Sequence, residues 1–209
     1  MEQRPAALEQ TLLWIVTGYR VFAAMWLSIL GGVTVGSAKT PVDRPGVVMA
    51  TIALVLLWAA ASVLARLTRP RLLSTWWFVA LDLAISCWAV VAGDFAGSIQ
   101  FGGGYPLVGA FSAIYAYGWT GGAVGAVVLT GAGLGRAWDG GLDPQDFANA
   151  IAHLFSVGAA AGVAAALRTA DRRRAAAETA LAKERTERIR AEEHAEMAAH
   201  LHDSVLQTL

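Results

Sequence analysis

Cysteine is almost missing from this sequence: Cys87 is the single one. One thiol excludes an internal disulfide framework and any Cys-based metal centre. Cys87 sits inside an apolar run, so it reads as a small packed residue, and no metal site is expected. Charge is scarce as well. Only 15% of residues are charged and 56% are hydrophobic, with a mean hydropathy of +0.50; ordinary soluble domains are about 25% charged and about 45–50% apolar. The net charge is zero, which excludes a bulk electrostatic nucleic-acid binder, and no direct nucleic-acid contact is expected. A cleavable signal peptide is not expected either. The first apolar run is too long for a signal h-region, and no small-residue cleavage pattern follows it.

The few charges are unevenly placed. Positions 1–167 hold 8 Lys/Arg and 8 Asp/Glu, and positions 168–209 hold the same numbers. That step near Leu167 separates an apolar body (1–167) from a solvated tail. A membrane span needs about 20 mostly apolar residues. Thr11–Val35, Val47–Ala65, Trp76–Ala92, Tyr105–Trp119, Thr120–Trp138 and Asn149–Leu167 give six candidates, of which Tyr105–Trp119 is short. The fourth and fifth touch at WTGG (119–122), an expected tight turn. The expected fold class is therefore all-α: a polytopic membrane helix bundle of six spans, followed by a long cytoplasmic helix.

Orientation follows from Lys and Arg in short loops, which favour the cytoplasmic side. Arg4, the group Arg66, Arg69 and Arg71, and the group Arg168, Arg172, Arg173 and Arg174 fall on one side if the spans number six. Both termini are then expected in the cytoplasm, with the body in the plasma (inner) membrane. Trp14, Trp76, Trp77 and Trp119 fall near the inner boundary and Trp138 near the outer one, as headgroup-level anchors do. Gly118/Gly122, Gly121/Gly125 and Gly131/Gly135 are spaced by four, which predicts close helix contacts. GAGLGRA (131–137) lacks the preceding strand that a dinucleotide loop needs, so it reads as helix packing.

The tail from Arg168 onward contains no Gly and no Pro and is rich in Ala, Glu and Arg, which predicts one long helix. Its large apolar residues, Leu181, Ile189, Leu201, Val205 and Leu209, hold no unbroken heptad seam, so 168–196 reads as a linker helix and a weak coiled coil at most. Near the end stands HLHDSVLQTL (200–209). On a helix, Leu201, Val205 and Leu209 share one face. His202 lies about 100° round from Leu201, at the border of that face. Asp203 follows His202 and can orient an imidazole and hold its proton. Gln207, four residues after Asp203, shares its face. From spacing alone this is equally an ordinary amphipathic helix with a solvated His–Asp pair.

The box resembles the phosphoacceptor helix of NarX/DesK-type sensor histidine kinases, which runs roughly E-x-H-D-x-x-x-Q-x-L. The resemblance implies that His202 receives the γ-phosphoryl group of ATP and that Asp203 assists the transfer. It implies that Gln207 positions water for dephosphorylating the partner response regulator. It also implies a homodimer, a DNA-binding response regulator as partner, and residues 197–209 as the start of a dimerisation and phosphoacceptor bundle. Ala199 and His200 depart from the family, which often has Arg and Glu there. The membrane body is similar, by pattern, to the six-span sensors of MacS-like kinases. On this reading ATP and Mg²⁺ are held by a catalytic domain that lies beyond Leu209. No Walker-type loop is present, so the chain is expected to be part of a longer protein and inactive by itself.

Two further features lie at membrane depth. Arg20 and Asp82 are ionisable residues inside spans one and three, and such groups are rare there and usually pair. An Arg20–Asp82 ion pair is expected; the alternative is a snorkelling Arg20 and an Asp82 facing a wet cavity. Ser112 and His153 lie in the outer halves of spans four and six, and AHLFSVGAAAG (152–162) is similar to the histidine-bearing span of rhomboid-type intramembrane proteases. The matching Gly-x-Ser-Gly is absent, since the chain has GAFSA (109–113). Three functions therefore compete: a sensor kinase, a small six-span substrate-binding or transport subunit, and the serine protease. The tail favours the first, because neither other function needs a charged helix with an H-D-x-x-x-Q element.

Overall fold

A computed structural model of the chain describes residues 7–37, 42–96, 104–136 and 144–206. The described residues are helical apart from turns, with no strand among them. The helices are α1 (Ala7–Gly36), α2 (Pro45–Thr68), α3 (Trp76–Phe95), α4 (Leu107–Arg136) and α5 (Pro144–Leu206), with a 3₁₀ turn at Pro70–Ser74. Among the described residues, five helices are long and apolar enough to cross a membrane, which is consistent with a multi-pass membrane protein. The chain divides into two compact units, Met1–Ala166 and Leu167–Leu209, with the boundary inside α5.

The first unit inverts the size order of a soluble core. Alanines such as Ala23, Ala24, Ala59, Ala89 and Ala92 are buried, while Phe22, Val33, Leu57, Val127 and Phe155 point outward. Between helices in lipid there is no hydrophobic driving force, so close packing of small residues does the work and large side chains serve the lipid face. Polar residues within the apolar helices bond to their own backbone. Thr17, Ser28, Thr34, Thr51 and Ser62 each donate to the carbonyl four residues earlier, so their hydroxyls do not remain bare. Pro45 opens α2 and Pro70 lies two residues after it ends, where a ring without an N–H continues no helix.

α4 does not run straight. At Gly118 the backbone adopts φ 65°, ψ −137°, a left-handed geometry that glycine tolerates and Cβ-bearing residues resist. Beyond it the chain doubles back on itself. A Cβ on Gly121 would overlap the Ala113 carbonyl, one on Gly122 would reach Ile114 Cγ1 at 3.1 Å, and one on Gly125 would reach Ala110 Cα at 2.9 Å. Four residues on from Gly121, at Gly125, the partner has moved back from Ala113 to Ala110, so the two arms, 107–117 and 119–136, lie antiparallel. The expected turn at WTGG is corrected to Gly118, because Gly121 and Gly122 are consumed by packing between the arms. Gly122 also touches α5, at Ala161 Cβ. The expected Gly131/Gly135 contact is corrected too: a Cβ at either meets nothing within 4 Å.

Three buried clusters fill the unit. The largest joins Ala23 and Leu27 of α1, Val48 and Val55 of α2, and Ile85 and Ala89 of α3 with Tyr105 and Val108. A second joins both arms of α4 to Val157, Ala161 and Ala164 of α5. A third, Leu13, Leu73 and Phe78, lies by the 3₁₀ turn. In the second unit the described side chains of residues 172–197 are exposed, with Arg174–Glu178 (2.9 Å) and Lys183–Glu187 (3.8 Å) paired across one turn; exposed pairs of this kind contribute little. The expected linker at 168–196 is thus helical, continuous with the last apolar run.

Gly118→Ala forces a side chain into the left-handed region at a cost of about 1–3 kcal/mol, and Gly121→Ala overpacks the arms by a similar amount. Gly131→Ala, in open space, is expected to be neutral or stabilising by up to about 1 kcal/mol through helix propensity. Thermal denaturation in detergent ranks the three; a Gly131→Ala protein as damaged as Gly121→Ala contradicts the hairpin.

Candidate functional site

Asp82 of α3, at 0% exposure, is the hub of a buried polar centre within the apolar bundle. Its Oδ1 accepts a hydrogen bond from Trp58 Nε1 of α2 at 2.8 Å. Its Oδ2 accepts one from Arg20 Nη2 of α1, and the two form a salt bridge. Arg20, 1% exposed, uses the same Nη2 to reach Ser112 Oγ of α4 at 2.8 Å. Its guanidinium also lies over the Phe78 ring, 5.4 Å from the centroid, a cation–π contact that is worth more away from water. One carboxylate and one guanidinium thereby tie four helices together.

Local sequence explains the convergence. Gly109 lets α4 settle onto the α3 backbone beside the hub: a Cβ there would stand 2.8 Å from Leu83 Cα and 2.9 Å from the Asp82 carbonyl. The Gly109 N–H, in the first turn of α4, has no carbonyl within its own helix to bond. It donates to Ser86 Oγ at 3.0 Å. Ser112 follows three residues later on the same face and so meets Arg20. Tyr19 Oη donates to the Gly104 carbonyl at 2.7 Å and the Tyr19 ring packs against Phe111, 4.8 Å between centroids. These contacts hold the entry to α4 against α1.

The centre is not fully satisfied. Arg20 Nε and Nη1 and the Tyr105 hydroxyl are buried with no hydrogen-bond partner among the described residues. A buried charge with open donors is costly to maintain. It persists because removing either ion would leave the other uncompensated, which costs more.

The structure brings Arg20 and Asp82 together, as their placement at membrane depth led one to expect. It does not bring Ser112 to His153: no hydrogen bond joins them among the described residues, and Ser112 faces a guanidinium. A serine nucleophile needs a base, and a guanidinium has no acceptor. Among the described residues no group of three His, Cys, Asp or Glu could hold a metal. In the HLHDSVLQTL stretch, the backbone at His202 and Asp203 belongs to the last turns of α5. Their side chains, and Gln207 as a whole, lie outside what the structure describes.

Sequence reasoning missed Trp58, Phe78, Tyr105 and Gly109, and gave Ser112 a different partner. Trp58 had a detectable signal. It lies midway along an apolar run, far from the headgroup level where Trp is usual, and a buried indole N–H needs an acceptor. Gly109 had none that separated it from the other glycines of α4. Comparison with known proteins finds no match among family models, curated sequences or solved structures.

Arg20→Met is expected to destabilise the bundle by about 3–5 kcal/mol, the cost of orphaning a buried charge. The double variant Arg20→Met/Asp82→Leu should recover at least half of that, because no charge is left stranded. Thermal or denaturant unfolding of the four proteins of this cycle measures it; a double variant as unstable as the sum of the singles contradicts the pairing.

Proposed function

We propose that this chain is the signal-input and phosphoacceptor part of a NarX/DesK-type membrane sensor histidine kinase. The observation that carries the reading is the sequence His202-Asp203-x-x-x-Gln207, whose His202 and Asp203 belong to a helix that begins as an apolar run and continues through a charged stretch. In the reaction a nitrogen of the His202 imidazole attacks the γ-phosphorus of ATP. An N–P bond forms, the bond to the β–γ bridging oxygen breaks, and ADP leaves. Asp203 takes up the imidazole proton, and the phosphoryl group then passes to an aspartate of a response regulator. ATP and Mg²⁺ belong to the catalytic part of the parent protein. Gln207 orients a water for the reverse function, removal of phosphate from the regulator.

The reversal at Gly118 supports six passes in place of five. Tyr117 Oη donates to the Ser74 carbonyl at 3.4 Å, so the Gly118 turn lies on the same side as the 3₁₀ turn between α2 and α3. The second arm and α5 then cross in opposite senses. By the distribution of positive charge, the side that carries Arg69 and Arg71 is the cytoplasmic one. The first arm, 107–117, is about 16 Å long by helical rise, so it penetrates about half of the hydrocarbon layer. Loops on the outer side are short, so the stimulus acts within the bilayer, at its surface or through a partner. In a dimer paired along the tail, a shift in helix packing around Asp82 changes which face of α5 His202 presents, a two-state input of the kind that packed interfaces allow.

Incubation of the parent protein with γ-labelled ATP tests the reading. Wild type is expected to take up acid-labile label and His202→Gln none; Gln207→Ala should still label but lose most of its ability to dephosphorylate the regulator. Undiminished labelling of His202→Gln contradicts the proposal.

A further inference from the structure

Between α1 and α2 the bundle surface carries a groove of about 420 Å³ whose lining includes Val21, Ala24 and Met25 on one wall and Leu56, Ala60 and Leu67 on the other. That volume falls in the usual range of ligand clefts, about 300–1,000 Å³. Gly18 and Trp14 continue the α1 wall, on the helix face that Val21 and Met25 share. A side chain at Gly18 would meet nothing within 4 Å, so the groove stays open toward that end. From Leu56 to Leu67 its length is about 16 Å by helical rise. This is close to half of a bilayer core of about 30 Å, the depth of one leaflet.

The end of the groove is chemically different from its walls. Next in sequence to the lining residue Leu67, Arg66 places its guanidinium over Trp14, with Cζ 3.2 Å from the ring centroid. Its Nη1 is buried and has no hydrogen-bond partner among the described residues. Arg66 has no carboxylate partner among the described residues. Arg69 and Arg71 follow immediately, where α2 gives way to the 3₁₀ turn. Trp14 is the type of side chain that sits at the headgroup level. An apolar trough one leaflet deep thus leads to a cation that has no counter-charge among the described residues.

We propose that this groove binds an anionic phospholipid, with one acyl chain lying against Ala24, Ala59 and Ala60 and the phosphodiester paired with Arg66. The apolar walls alone would suit a partner helix or any lipid tail. The unpaired guanidinium selects the lipid, because an anionic headgroup supplies the charge that the protein withholds. Basic residues at the membrane surface attract anionic lipids in this way. The site rests on the membrane reading of the first unit and is independent of the phosphoacceptor reading.

The test is native mass spectrometry of the chain in detergent, titrated with phosphatidylglycerol or phosphatidylcholine, beside an alkaline carbonate wash of membranes carrying the protein. Wild type is expected to survive the wash in the membrane fraction and to retain phosphatidylglycerol over phosphatidylcholine. Arg66→Gln should reduce that preference about fivefold, the weight of about one basic residue near an anionic surface, and Arg66→Lys should keep most of it. Ala60→Phe, which fills the trough without touching the cation, should lower retention of both lipids. Release by carbonate overturns the membrane reading and the site with it. Retention in the membrane with equal binding of the two lipids, or a preference unchanged in Arg66→Gln, overturns the site alone. So does a dimer that Ala60→Phe dissociates while lipid retention stays as in wild type, since the groove would then hold a second copy.

Discussion

The bundle is organised by a carboxylate that has no access to water. Asp82 at 0% exposure sits where an isolated charge would be expelled or neutralised, so its partners dictate the positions of their helices. Trp58 fixes α2, Arg20 fixes α1, and through Arg20 the Ser112 hydroxyl fixes α4. Apolar packing between membrane helices is permissive, since lipid tails compete on equal terms with side chains. Directional bonds to one buried anion are not permissive. They select one rotation of each helix among the several that small residues would allow.

Glycine makes that arrangement sterically possible. Gly109 brings the α4 backbone against α3 beside the hub, and Gly121 and Gly125 allow the second arm of α4 to lie flat on the first. The polar centre and the close contacts therefore depend on one another. A bulkier residue at position 109 would lift Ser112 away from Arg20, and loss of the charge pair would remove the reason for α3 and α4 to stay in that register. Arg20 retains unbonded donors, so the centre holds its helices firmly yet has spare capacity for a second bonding pattern. That capacity suits a body whose packing is proposed to change with a signal.

Much of this was legible in the sequence, for identifiable reasons. Charges inside apolar runs are rare enough to be conspicuous, which exposed Arg20 and Asp82. The loss of Gly and Pro with the onset of alternating charge after Leu167 marked the tail as helix. Trp58 was legible but passed over: a tryptophan midway along an apolar run, away from the headgroup level, needs a polar partner for its indole N–H. Serine misled: a hydroxyl in a span fits a nucleophile, a back-bonded filler or an ion ligand equally well, and only neighbours from other helices decide. Glycine spacing predicted contacts at 121, 122 and 125 and over-predicted them at 131 and 135, because spacing says nothing of whether a partner helix is present. The turn was displaced from Gly118 to the residues after it, since a left-handed φ leaves no mark that separates one glycine from its neighbours.

Hydrogen exchange of the indole N–H groups, followed by NMR on protein labelled with ¹⁵N at tryptophan, reaches the hub directly. Trp58 donates to Asp82 while Trp88 donates to Thr51, at 3.1 Å, so the second indole is an internal control within one sample. The account predicts that the Trp58 N–H is protected in the wild type and exchanges freely in Arg20→Met/Asp82→Leu, which leaves no acceptor at position 82, with Trp88 unchanged. A Trp58 signal that exchanges at the same rate in both proteins, Trp88 being equally protected in each, would show that the carboxylate is not what holds α2 in place.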